Sequence, residues 1–236
     1  MFASLILKDL VIKDNFSEAK LLEKIEAISS FGINRLVIAP VYYDEESKSS
    51  IDEVKLIVDD LNLYFTEKGV FLKLYPANII RDNYDNIKEF INGKIGSINN
   101  SRYVLLNIEE SNTIKELIEI IYEFNLRNYT PIIVGPEKIK EIVDVNKNID
   151  KLLREDCLLQ LDLASINGIY GNKVLKTANV LKKKGVYSFI GFEDNIKEAY
   201  INKEMQEIGK KGFSILMKKG DSKERTKTKK GLFRCK

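Results

Sequence analysis

The sequence predicts a parallel α/β fold, and three observations carry that expectation. Seven short apolar runs recur along the chain, and most are continuous rather than alternating, as strands buried on both faces of a parallel sheet require. Stripes of apolar residues at helical spacing lie between them. The connections are short, with no linker between residues 1 and 213. A barrel and a doubly wound sheet both satisfy this alternation, and periodicity does not choose between them. In either fold, functional groups belong at the C-terminal ends of the strands.

The elements follow in order. Residues 5–7 form the first apolar run, and Leu21, Leu22, Ile25 and Ile28 the first helical stripe, which Gly32 stops. Residues 35–39 form the second strand. Ser50 and Glu53 have capping-box spacing and open a helix carrying Val54, Ile57, Val58, Leu61 and Phe65, with Gly69 at its end. Strands follow at residues 70–75 and 103–106. Thr113 and Glu116 repeat the capping box ahead of Ile114, Leu117, Ile118 and Ile121. Residues 131–134 and 158–161 are the fifth and sixth strands. Val174, Ala178 and Leu181 mark a helix ending at Gly185, and residues 187–191 close the series.

Composition excludes much chemistry. The chain has 236 residues, 44% hydrophobic and 31% charged, which suits a soluble globular protein with a large core. It has no histidine, which removes Ser-His-Asp and Cys-His nucleophile systems and histidine-ligated metal centres. Its two cysteines, Cys157 in an apolar run and Cys235 in a basic tail, are the pattern of a reduced, cytoplasmic protein. Lys8 and Asp9 interrupt the short apolar N-terminus, so no signal peptide is expected, and no apolar stretch reaches the roughly 18 residues of a membrane span. Residues 218–236 carry nine Lys/Arg and two acids, against a net charge of +3 for the whole chain, so the remainder is mildly acidic. We expect one domain over residues 1–213 and a basic tail over 214–236. That tail is either a solvated extension or a docking element for an anionic membrane surface. Nucleic acid is not expected, because no aromatic-rich basic face accompanies the charge.

The strand ends are poor in acid–base groups. Asp162, Glu193 and Asp194 are the residual acidic candidates, either for a hard cation through oxygen ligands or for helix capping and solvent. Cys157 has no arginine beside it for a phosphate-binding cysteine loop. There is neither a P-loop nor a GxGxxG motif. The glycines of residues 168–171 precede a helical pattern and read as a tight turn, with an anion at the helix start as the alternative.

Four segments carry a family resemblance: residues 31–40 (FGINRLVIAP), 100–106 (NSRYVLL), 126–137 (LRNYTPIIVGPE) and 164–171 (ASINGIYG). With them the chain resembles the bacterial protein-tyrosine phosphatases of the polymerase-and-histidinol-phosphatase superfamily, found in capsule and exopolysaccharide gene clusters. The resemblance implies a distorted seven-stranded (β/α) barrel with a polynuclear metal site, usually manganese, at the strand ends. Carried across, the family's metal ligands fall on Ser4, Ile6, Val41, Ile79, Asn107, Gly135, Glu193 and Asn195, and its phosphate-binding arginine on Lys138. Only Glu193 keeps an acid. Ile6, Val41 and Ile79 offer no lone pairs and Gly135 has no side chain, so the expected site is filled with apolar packing, without metal or other cofactor. The resemblance then implies a non-catalytic relative that binds a bacterial tyrosine kinase or polysaccharide-assembly protein, cytoplasmic and peripheral to the inner face of the membrane. An active phosphatase with a reduced site and a structural homo-oligomer are the alternatives.

Overall fold

The computed structural model describes residues 2–7, 15–42, 50–108, 113–193 and 201–217. Within them the chain forms eight strands: β1 (Phe2–Leu7), β2 (Arg35–Pro40), β3 (Lys73–Pro76), β4 (Ile79–Arg81), β5 (Tyr103–Asn107), β6 (Thr130–Val134), β7 (Leu158–Asp162) and β8 (Phe189–Phe192). They build one sheet in the order β3-β2-β1-β8-β7-β6-β5-β4, and every pairing is parallel. The first and last strands lie side by side, and a bridge between Val41 and Ile79 joins the two edges. The Tyr42 N–H donates to the Ile79 carbonyl at 3.3 Å and the Ala77 N–H to the Ile38 carbonyl at 3.0 Å. The sheet therefore curls into a barrel, and the doubly wound alternative is excluded.

The expected third strand, residues 70–75, is β3, and a further strand, β4, forms in the segment expected to follow it, so seven expected units hold eight strands. The break falls at Asn78, which leaves the ladder for Gly96: its N–H donates to the Gly96 carbonyl (3.2 Å) and its Oδ1 accepts from the Gly96 N–H (2.9 Å). β3 then pairs with β2 and β4 with β5. The outer edge of β3 is closed by a side chain. Asn62 accepts from the Leu74 N–H (2.9 Å) and donates to the Leu74 carbonyl (3.1 Å).

Helices α1 (Asn15–Ser30), α2 (Ile51–Glu67), α3 (Tyr84–Ile91), α4 (Ile114–Leu126), α5 (Lys140–Asp144), α6 (Ile149–Leu152), α7 (Leu163–Ile166), α8 (Gly171–Lys183) and α9 (Lys203–Leu216) accompany the strands. Both expected capping boxes form, Ser50 with Glu53 and Thr113 with Glu116. α2 ends in a Schellman motif. Gly69, at φ +68°, donates to the Thr66 carbonyl, and Val70 donates to the Phe65 carbonyl. α4 ends the same way on Asn128, at φ +58°, which sequence inspection had not marked as a stop.

The core has two layers, and strand alternation assigns residues to them. On β2, Leu36 and Ile38 face the helices and pack in one cluster with Ile25, Val54, Phe65 and Phe124. Val37, Ala39 and Val41 join the other cluster, inside the barrel, with Phe2, Ile79, Tyr103, Ile132, Val134 and Phe189.

The sequence did not mark α9, whose interior glycines count against a helix. It covers the N-terminal end of the barrel. The Phe213 ring lies 6.5 Å from that of Phe2, the Arg35 guanidinium sits 4.1 Å above Phe213, and Ile215 and Leu216 pack on the inner cluster. Gly212 permits this approach, since a Cβ there would lie 2.6 Å from Phe189 Cδ1 and 2.8 Å from the Ser188 carbonyl oxygen. The helix runs past residue 213, so the start of the expected tail is part of the packed barrel, while residues 218–236, Cys235 among them, lie outside the described residues. Among the described residues, no helix is long and apolar enough to cross a membrane.

Candidate functional site

With α9 covering one end, the C-terminal ends of the strands form the other, and the sequence-marked positions collect there. Val41 and Ile79 are buried in the inner apolar cluster. Ser4 is buried too, and its hydroxyl donates to Gln160 Oε1 at 2.8 Å. Ile6 stands on β1 in register with Ala39. Asn107 ends β5 beside Arg81, and its carbonyl accepts from the Asp82 N–H at 3.1 Å. Gly135 follows β6 in the left-handed region at φ +57° and donates its N–H to the Gln160 carbonyl at 3.0 Å. Asp194 and Asn195 lie outside the described residues.

The other half of this end is ionic, which corrects the expectation of apolar filling throughout. Lys138 sits in the 3-10 turn Pro136–Lys138 after β6. Its ammonium reaches Asp162 Oδ2 at 2.9 Å and Glu193 Oε1 at 2.5 Å. Asp162 closes β7 and Glu193 follows β8, so adjacent strands bring these two carboxylates together. The second oxygen of each is also used. Asp162 Oδ1 caps α7 by accepting from the Ala164 N–H at 2.9 Å, and Glu193 Oε2 accepts from the Tyr170 hydroxyl at 2.8 Å. The Lys138 ammonium also lies 5.1 Å from the centre of the Tyr170 ring.

Burial disfavours the Lys138 charge, but the Asp162 and Glu193 carboxylates outweigh it and hold the ammonium above the ordinary lysine range. Burial raises the Asp162 carboxyl, against the pull of Lys138. Tyr170 is raised by burial first and then by the two carboxylates. The phenol is therefore a donor here, not a base.

Below this cluster lies a carboxyl that sequence inspection missed. Glu137 is fully buried. Its Oε1 accepts from the Asp162 N–H and its Oε2 from the Tyr187 hydroxyl, both at 2.9 Å. Burial, and then the nearby Asp162 charge, push its pKa up to about 7. Tyr170, Tyr187 and Gln160 were missed as well. An acid beside a proline at a strand end is the one local signal for Glu137. The partners lie 25 and 50 residues away, so nothing local announces them.

Among the described residues, no three His, Cys, Asp or Glu side chains come together as a metal-holding group. Cys157 is half-buried, donates to the Leu152 carbonyl at 3.3 Å, and has its thiol pushed up to about 12 by burial and then by Glu155 and Asp156. It is not a nucleophile at neutral pH. A separate cleft of about 560 Å³ lies between α2, β3 and the segment before β5, lined by Asp52, Lys55, Lys73, Tyr75 and Asn99. It shares no residue with the cluster around Lys138.

Comparison with known proteins agrees with this architecture. A solved structure from a study of YwqE from Bacillus subtilis and CpsB from Streptococcus pneumoniae, described as unique metal-dependent tyrosine phosphatases, superposes with a TM-score of 0.66. It covers 93% of this chain and 88% of its own, at 19% identity, and supports the fold. CapC of Staphylococcus aureus is 26% identical over 169 residues, 72% of this chain. The tyrosine-protein phosphatase YwqE of Bacillus subtilis is 21% identical over 167 residues, 70% of this chain. Each of these alignments spans 66% of the relative's length. The family model for capsular polysaccharide synthesis, CpsB/CapC, matches residues 14–219, and the chain therefore belongs to the CpsB/CapC family.

Proposed function

We propose that this chain is a non-catalytic member of its family, which acts in capsular polysaccharide synthesis by binding rather than by phosphate-ester hydrolysis. One observation carries this reading: Asp162 and Glu193, the two acids that converge at the ends of adjacent strands, are taken up by a lysine of the same chain. A metal-dependent phosphatase needs a cluster that lowers the pKa of bound water from 15.7 to about 7 and clamps phosphoryl oxygens. Metal affinity depends on the number and geometry of donors. Val41 and Ile79 contribute none, Gly135 has no side chain, and Ser4 is engaged with Gln160. The donor set therefore does not fit a polynuclear metal centre. Lys138, at the position of the family's phosphate-binding arginine, is turned onto Asp162 and Glu193 and is not free for a phosphate.

The binding reading leaves the barrel intact as a recognition body. Its partner is a tyrosine kinase or polysaccharide-assembly protein of the capsule system, as the family's association suggests. The basic segment 218–236 would add attraction to an anionic membrane surface at the inner face of a cytoplasmic membrane, each basic residue contributing about 1 kcal/mol.

Metal analysis of the purified full chain, with turnover of a phosphotyrosine peptide in added Mn²⁺, tests the reading. The expected result is no stoichiometric metal and no turnover above a Glu193→Ala control. Stoichiometric metal with turnover lost in that control would establish the reduced-site phosphatase instead. Co-purification of the kinase with the full chain, compared with a chain ending at residue 217, tests the role of the tail.

A further inference from the structure

We infer that the Lys138 ammonium is the resident cation of the barrel's C-terminal end: a covalently attached positive charge that sits where two strand-end carboxylates converge and bridges them, so that this end is assembled without a bound metal ion. The inference deepens the non-catalytic reading and rests on its account of the strand ends.

Three features of the geometry support it. The first is the convergence itself. Asp162 is 1% exposed and Glu193 22%, and both oxygens in contact with Lys138 approach one nitrogen within hydrogen-bond reach. Two carboxylates so placed repel one another unless a cation lies between them. The ammonium is that cation, with a proton directed to each.

The second is the route the lysine takes. Its aliphatic chain runs through the space that a side chain at residue 135 would occupy. A Cβ at Gly135 would lie 2.4 Å from Lys138 Cε and 3.2 Å from its Nζ. Residue 135 is also one of the positions onto which the family's ligands fall. A liganding side chain there and the lysine in its present path are mutually exclusive. The missing side chain and the inward lysine are one arrangement.

The third is that the surrounding donors are committed to the same state. The Tyr170 hydroxyl completes Glu193, and the Ala164 N–H completes Asp162. Glu137 holds the Asp162 main chain through its N–H and is itself fixed by Tyr187. A buried cluster is stable when its polar members are satisfied, and costly when one partner is withdrawn.

The test is thermal unfolding of the full chain in EDTA and in millimolar Mn²⁺, using Mn²⁺ alone as the probe and no phosphorylated substrate. The wild type is expected to unfold at the same temperature in both. Lys138→Met keeps the length of the side chain without its charge. It is expected to unfold about 10 °C lower in EDTA, and Mn²⁺ is expected to recover part of that loss by occupying the vacated place. The double variant Lys138→Met/Asp162→Asn removes one charge of each sign and leaves no uncompensated pair of carboxylates. It is expected to be more stable than the single variant in EDTA and unaffected by Mn²⁺. It also carries the test if the single variant does not fold.

The inference is overturned by any of three results. One is a Lys138→Met protein as stable as wild type in EDTA. Another is a double variant no more stable than the single one. The third is a wild-type protein raised by Mn²⁺ through an effect that Glu193→Gln abolishes. Phosphatase activity without any Mn²⁺ stabilisation would sink the non-catalytic reading while leaving this inference standing.

Discussion

Glu137→Gln should stabilise this protein at alkaline pH and leave it nearly unchanged in mild acid. Glu137 is fully buried, with a folded-state pKa of about 7 against an ordinary 4.5. Burial is the larger cause of the rise and the Asp162 charge the next. The sign follows from linkage. A carboxyl whose pKa is raised on folding holds its proton more tightly in the folded state. Its contribution to stability is therefore full below about pH 4.5 and is lost as pH rises toward 7. Above pH 7 the folded chain carries a buried carboxylate at a cost of about 3 kcal/mol relative to the protonated form. Glutamine removes that cost without removing the contacts. Its carbonyl oxygen accepts from the Asp162 N–H, and its amide donates to the Tyr187 oxygen, whose hydroxyl rotates. Urea unfolding of wild type and variant at pH 5 and pH 8 isolates the effect, because every other titrating group is common to both. The stability difference in favour of the variant should grow by about 2–3 kcal/mol between the two pH values. A difference that stays constant, or that shrinks toward pH 8, refutes the placement of Glu137 as a buried, proton-retaining acid.

Other perturbations follow from the packing. Gly212→Ala forces a methyl against Phe189 and the Ser188 carbonyl, so it should cost about 1–3 kcal/mol in denaturant unfolding and loosen α9 in hydrogen exchange. Ile79→Ala empties part of the inner apolar cluster and should cost about 2–5 kcal/mol, read by the same unfolding assay without a change in far-UV circular dichroism. Ser50→Ala removes one half of a formed capping box and should cost about 1 kcal/mol, seen as a lower denaturation midpoint at unchanged slope. Cys157, with its thiol near 12, should resist iodoacetamide at pH 7.5 in the native state and react once urea unfolds the chain; rapid native alkylation at this residue would contradict its burial.

Sequence patterning revealed the parallel strand–helix alternation where local signals sufficed, and the family resemblance supplied the barrel. The continuous runs at β5, β6 and β7 fall within a residue of the observed strands, because strands buried on both faces are mostly apolar along their length. The two capping boxes located two helix starts for the same local reason. β4 was not legible after the third strand, because the break between β3 and β4 depends on Asn78 finding Gly96 across the fold. α9 was hidden by its interior glycines, and the purpose of Gly212 appears only against Phe189 and Ser188. At the functional end, the family pattern marked Ser4, Val41 and Ile79 as positions of the family's ligands, and the strand ends marked Asp162 and Glu193 as acidic candidates. They did not reveal that Lys138 meets residues 24 and 55 positions away, nor that Glu137 sits beneath.

The Asn62 contact on β3 has a consequence for how copies of this protein behave at high concentration. β3 ends the ordered ladder on one flank, and an exposed strand edge invites a second chain to add to it. On that flank Leu74 presents the outward N–H and carbonyl, and both are spent on the Asn62 amide. The neighbouring Pro76 has no N–H to offer. One asparagine and one proline thus blunt this edge against edge-to-edge strand addition. Asn62→Leu would return two unsatisfied main-chain groups to that edge and turn a passive flank into a template for aggregation.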